Sequence, residues 1–172
     1  MPSPTYVAIA TVTVGSGGAA NIEFTSIPGT YTDLLAVFSV RTNASNVKRA
    51  FELRINSGTS SQSSITLYAD GSSVGSSSYA SAIYNNHTIP GANATASTFS
   101  NISVYIPNYA GSNNKSISID GAGENNATEA GLAFSAGLYS SSTAITSLLV
   151  LPESTGSFVQ YSTATLYGIK NS

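Results

Sequence analysis

The sequence predicts an all-β domain: an antiparallel β-sandwich, jelly-roll-like, of about ten strands. Three observations carry that prediction. Apolar residues alternate with polar ones along most of the chain, the spacing of a strand with one buried and one wetter face. Clusters of Gly, Pro, Asn and Asp separate these runs at short intervals. No stretch shows the apolar stripe of an amphipathic helix.

The runs follow in order. Ile22 and Phe24 alternate with Glu23 and Thr25, ahead of the turn signal Pro28-Gly29. Asp33 to Val40 is apolar on both faces, which suits a central strand or one whose outer face meets a neighbour. Phe51, Leu53 and Ile55 alternate with Glu52 and Arg54, and Asn56-Ser57-Gly58 reads as a hairpin turn. Ile65 to Ala69 is a strand between two Ser-rich segments, Thr59 to Ser64 and Ser72 to Ser78, which read as mobile surface loops. Tyr79 to Ser97 reads as a long connection carrying its own apolar residues, Ile83, Tyr84, Ile89 and Pro90. A connection of that length either packs, on its own residues or on another subunit, or contacts a ligand.

Further on, Ile102, Val104 and Ile106 alternate with Ser103 and Tyr105, and Ile117 and Ile119 flank Ser118. Leu132, Phe134, Ala136 and Leu138 share one face, the one expected to be buried. Ser147 to Leu151 is again apolar on both faces. In the last run, Phe158 to Ile169, one face carries Val159, Tyr161, Thr163, Thr165, Tyr167 and Ile169. The order of these strands across the sheets is not legible in a single sequence. Residues 1–172 read as one domain, since a chain of this length buries a sufficient core without a staple.

Composition bounds the function. Asp, Glu, Lys and Arg make up 8 % of the chain, against roughly a quarter in an ordinary soluble domain. Ser and Thr replace them, with 31 and 18 residues, so the surface stays wet through hydroxyls. Net charge is −2, too little to hold copies apart by repulsion, so the chain is expected to spend its life packed against other copies or another protein. Six basic residues do not make a nucleic-acid footprint; Arg41, Lys48, Arg49 and Arg54 lie near one another but read as solvated strand ends. No run reaches the length of a membrane span, and Met1-Pro2-Ser3-Pro4 lacks the basic start of a signal peptide.

Catalytic groups are scarce. There is no Cys, and His87 is the only His, placed by its Asn-Asn-His-Thr setting in a solvated loop. Neither a nucleophile elbow nor a convincing carboxylate pair is present, so no enzyme activity and no cofactor are expected. Asp120 to Asn126 gathers two carboxylates and two amides without calcium-loop spacing, and reads as a polar turn before it reads as a cation site. Ten Tyr against six Phe favours surfaces where a ring is buried and a hydroxyl stays paired or wet. Tyr105, Tyr109, Tyr161 and Tyr167, with Tyr84 and Ile89 from the long connection, are the candidate interface residues.

Several phrases resemble a family of small virion proteins of tailed phages, chiefly those of marine and cyanobacterial hosts. Residues 22–34, IEFTSIPGTYTDL, are similar to that family's opening, and residues 89–99, IPGANATASTF, to its mid-chain signature. Residues 144–147, 160–162 and 166–170 resemble its C-terminal motifs. The resemblance implies a fold and a virion setting, not a chemistry. No coiled-coil or collagen-like stalk precedes the domain, which favours a capsid decoration (cement) protein on the capsid exterior, bound to the major capsid protein and expected as a homotrimer. The alternative is a receptor-binding tail or fibre module recognising host surface glycans. Neither reading involves nucleic acid or membrane.

Overall fold

A computed structural model describes residues 5–124, 130–153 and 156–170. Among these residues there is no helix, and twelve strands run antiparallel in two sheets. In chain order they are β1 Tyr6–Thr13, β2 Ile22–Phe24, β3 Asp33–Ser39, β4 Lys48–Ile55, β5 Gln62–Ala69 and β6 Val74–Tyr79. Then come β7 Ile83–Pro90, β8 Asn101–Pro107, β9 Lys115–Glu124, β10 Ala130–Tyr139, β11 Leu148–Pro152 and β12 Thr163–Ile169. The large sheet has eight strands in the order β1-β12-β3-β8-β9-β10-β5-β6. The small sheet has four, β2-β11-β4-β7.

The sheets pack as a sandwich because each strand offers one apolar row to the space between them. Leu34, Ala36 and Phe38 of β3 face inward, as do Ile102, Val104 and Ile106 of β8 and Ile117 and Ile119 of β9. From the small sheet come Ile22, Phe51, Leu53, Ile55, Ile83, Leu148 and Val150. Phe38 and Phe51 meet edge to face across the gap, with centroids 5.0 Å apart. Each fully buried side chain of this kind contributes about 1.5–3 kcal/mol. The two doubly apolar runs prove to be interior strands. β3 sits between β12 and β8, and β11 between β2 and β4.

Several expectations need correction. Twelve strands replace about ten, because two segments read as loops are paired. Ser72 to Ser78 supplies most of β6, which forms a hairpin with β5 in the register Leu67↔Ser76. The long connection contains β7, antiparallel to β4. β1 is an edge strand with a bulge between Ala8 and Ala10, and the bulge breaks the alternation that would have revealed it. Asn56-Ser57-Gly58 is no hairpin turn either. It carries the chain from β4 in the small sheet to β5 in the large one, with Asn56 and Ser57 in the left-handed region at φ 50° and 55°.

The largest correction concerns β10. Its inward row is Gly131, Ala133, Ser135, Gly137 and Tyr139, and its outward row is Leu132, Phe134, Ala136 and Leu138. Tight approach of β7 explains this inversion. A methyl group at Gly131 would lie 2.7 Å from the His87 carbonyl oxygen, and one at Gly137 would lie 3.1 Å from Ile83. On β9, methyl groups at Gly121 and Gly123 would collide with Asn85 and with the Thr88 carbonyl. Small residues on β9 and β10 are what let the small sheet's edge strand close on the large sheet.

Polar groups fill the same seam. Asn85 is fully buried, and its amide donates to the Ala133 carbonyl at 3.2 Å and to Ser135 Oγ at 3.0 Å. Thr66 Oγ1 donates to the Tyr84 carbonyl at 2.8 Å and lies 3.0 Å from Ser135 Oγ. Arg41, expected to be solvated, is buried. Its guanidinium donates to the carbonyls of Ala94, Thr95 and Thr98 and so holds the loop between β7 and β8.

Candidate functional site

Strand alternation leaves a contiguous apolar patch on the outside of the large sheet. Outward residues of β10 and β5 face each other in the register Phe134↔Leu67 and Ala136↔Ile65. Ile65, Leu67 and Phe134 are 60, 58 and 61 % exposed, and Leu132 and Leu138 are 43 and 41 % exposed. Val74, at the start of the edge strand β6, extends the patch at 84 %. The rim is hydroxyl-rich: Ser76 and Ser78 lie on the β6 side, Ser116 and Ser118 on the β9 side. Asp120 lies opposite Phe134, and its carboxylate accepts a hydrogen bond from Ser103 at 2.6 Å.

The face is not flat. Ala136, between taller neighbours, leaves two shallow hollows. One of about 390 Å³ lies toward Tyr105 and Pro107, and one of about 510 Å³ lies between Ile65, Leu138 and Tyr79. Exposed apolar patches rimmed by polar residues mark protein or membrane contact sites or ligand-binding grooves.

The six candidate interface residues do not form one site. Ile89 and Tyr109 are fully buried and belong to the core. Ile89 belongs there because β7 is a paired strand, and Tyr109 because its hydroxyl donates to the Pro28 carbonyl. Burial also raises the Tyr109 pKa. Tyr84 is half-buried on the small sheet, its hydroxyl donating to Glu52 at 3.3 Å. Burial, then the Glu52 charge, push its pKa up to about 12. Tyr161 is 69 % exposed in a left-handed turn.

Only Tyr105 and Tyr167 lie on the outer face of the large sheet, both paired with Leu35 of β3. Tyr105 donates to Asp33 at 2.8 Å, which raises the phenol's pKa, and it borders the hollow beside Ala136. Residues 65, 67, 132, 134 and 138 escaped notice as surface because large apolar residues on an alternating strand read as core. The signal available was the opposite row of β10, where three of four inward residues before Tyr139 are Gly or Ala.

A second feature is polar. Lys48, Arg49, Tyr68, Ser77, Tyr79, Asn86, His87 and Glu153 line a cleft of about 250 Å³ between the β5–β6 hairpin and the β4–β7 edge. His87 is no solvated loop residue. It lies on β7, half-buried, with its ring stacked on Tyr68 at 4.6 Å. Burial, then the Lys48 charge, lower its pKa. Lys48 pairs with Asp70 at 3.7 Å. Asp70 is held well below the usual carboxylate range by hydrogen bonds from Ser73 and Ser72.

Of the Asp120–Asn126 segment, Asp120 to Glu124 are part of β9, and Asn125 and Asn126 lie outside the described residues. Glu124 accepts hydrogen bonds from Thr95 and Thr98. Among the described residues no three His, Cys, Asp or Glu side chains cluster as metal ligands would. Lys115 is buried and donates to the Ser141 and Thr143 carbonyls, and its burial lowers its pKa.

No family model matches the chain, and no curated protein and no solved structure is significantly similar to it.

Proposed function

We propose that this chain is a structural protein of a phage virion, a capsid decoration protein that adds a joint to the shell and performs no reaction. The carrying observation is the outer face of β5 and β10, where five large apolar side chains stand exposed and Phe134 lies directly opposite Leu67. That face is stable in water only at a cost, and contact with a neighbouring subunit removes it. The resemblance of residues 22–34 and 89–99 to virion proteins of tailed phages supplies the setting.

The polar rim suits a joint that must hold across ionic conditions. Contacts between hydroxyls are less sensitive to salt than ion pairs. Closed symmetry, a trimer in this reading, hides such a face without leaving it open to further copies. Each contact is of modest size, and repetition over a lattice gives it avidity. Binding only the assembled shell then stabilises that state by mass action.

The test is a deletion. Virions lacking the chain should assemble, adsorb to host cells normally, and release DNA at lower temperature than wild type. Unchanged release with lost adsorption would contradict a decoration role and support receptor binding.

A further inference from the structure

We infer that the polar cleft between the β5–β6 hairpin and the β4–β7 edge is a saccharide-binding site that takes one pyranose ring. The site is separate from the apolar joint, because alternation along β5 sends Tyr68 to the side opposite Leu67.

Three observations are independent of one another. First, the backbone is deformed to build the cleft. Between Arg49↔Ile89 and Phe51↔Asn85, β4 advances two residues while β7 advances four. Asn86, His87 and Thr88 are therefore displaced from the ladder opposite Ala50, and His87 takes a left-handed φ of 61°. A non-glycine residue in that region is strained, and bulges and strain of this kind collect at binding sites.

Second, the opposing strand is cut back to match. Tyr68 pairs with Gly75, where a methyl group would lie 2.6 Å from the Tyr68 ring. Glycine there leaves the ring room to stack on the imidazole.

Third, charge is concentrated here in a chain almost without it. Two of the six Lys and Arg residues, the only His, and Glu153 share one small cleft. Glu153 is placed by its backbone, whose N–H donates to the Ala50 carbonyl at 3.0 Å. Asn86 is buried and oriented by Tyr79, the two exchanging hydrogen bonds at 2.9 and 3.1 Å.

The chemistry of the lining selects the ligand. Lys48 and Arg49 donate, Glu153 accepts, and Ser77, Tyr68 and Tyr79 carry hydroxyls that do either. A sugar ring presents hydroxyls that both donate and accept, and it needs both kinds of partner. Opposite charges on Lys48, Arg49, Asp70 and Glu153 offset one another, which disfavours a multiply charged anion. At about 250 Å³ the cleft matches a single sugar ring in size.

A single ring held by a few hydrogen bonds binds with a Kd on the order of 1 mM. The probes are the methyl glycosides of glucose, galactose, mannose and N-acetylglucosamine, titrated into the intact chain and followed by amide and aromatic NMR. At least one glycoside should give saturating shifts at Tyr68, Asn86, His87 and Glu153. Glu153→Gln should weaken that binding at least about tenfold with the melting temperature unchanged, and Tyr68→Phe, which keeps the stacked ring, should weaken it less. The inference is overturned if no glycoside shifts these resonances, if the shifts map elsewhere, or if both variants titrate as wild type.

Discussion

Phe134 of β10 stands directly opposite Leu67 of β5 on the outside of the large sheet, and both side chains are more than half exposed. Cross-strand apolar pairs are the unit from which a sheet face is stabilised, and here no layer covers the face among the described residues. A second subunit is the layer the account supplies. Light scattering at micromolar concentration should give a mass above 17.5 kDa for the wild type. Phe134→Lys should lower that mass toward the monomer, with little change in unfolding midpoint once both proteins are diluted to monomers, since the residue is solvent-facing within one chain.

Gly123 of β9 carries the close approach of β7. A methyl group there would collide with the Thr88 carbonyl oxygen, which is backbone and cannot swing aside. Gly123→Ala should destabilise the fold by about 1–3 kcal/mol in urea unfolding. At Gly137 the nearest atoms are side-chain atoms of Ile83 and Ile117 at 3.1 and 3.3 Å, so Gly137→Ala should cost less.

Asn85 is buried where its amide donates to Ala133 and Ser135. Asn85→Asp puts a carboxylate oxygen against the Ala133 carbonyl, to which the amide now donates. The variant should lose at least about 3 kcal/mol near neutral pH. Part of that loss should return on acidification, when the carboxyl is neutral. Denaturant midpoints at two pH values check both statements.

His87 makes stability depend on pH in a defined direction. Its folded-state pKa lies below the ordinary 6.5, through burial first and then through Lys48. The folded state therefore binds this proton more weakly than the unfolded chain. Its contribution is fully present above about pH 6.5 and declines as pH falls through that value toward the folded pKa. His87→Asn keeps a residue that tolerates the left-handed backbone. Subtracting its melting curve from the wild type's over pH 5 to 8 should isolate a decline confined to the acid side. No difference in shape would place His87 in solvent.

Local sequence patterns reveal a strand's buried face in this chain only where its large residues point inward. β3, β8 and β9 were legible because their large residues point inward, so alternation and burial agree. β10 was misread because packing against β7 demands Gly and Ala on the inner row, leaving Leu132, Phe134 and Leu138 outside. β6 was missed because six residues with three consecutive serines resemble a linker until β5 pairs with them. The sheet order depends on pairings between distant segments, such as β1 with β12, for which no local pattern exists. The polar cleft was equally hidden. Tyr68, His87 and Glu153 meet only after a bulge and two sheets bring them together.

The central claim is that the outer face of β5 and β10 joins copies of this chain into the closed oligomer that binds a capsid. Its most direct test is rebinding. Purified wild type and Phe134→Lys are added to particles lacking the chain, and bound copies and heat-induced DNA release are measured on the same samples. Wild type should bind and restore heat resistance, whereas Phe134→Lys, equally folded, should do neither. Equal binding and equal protection by the two proteins would contradict the account.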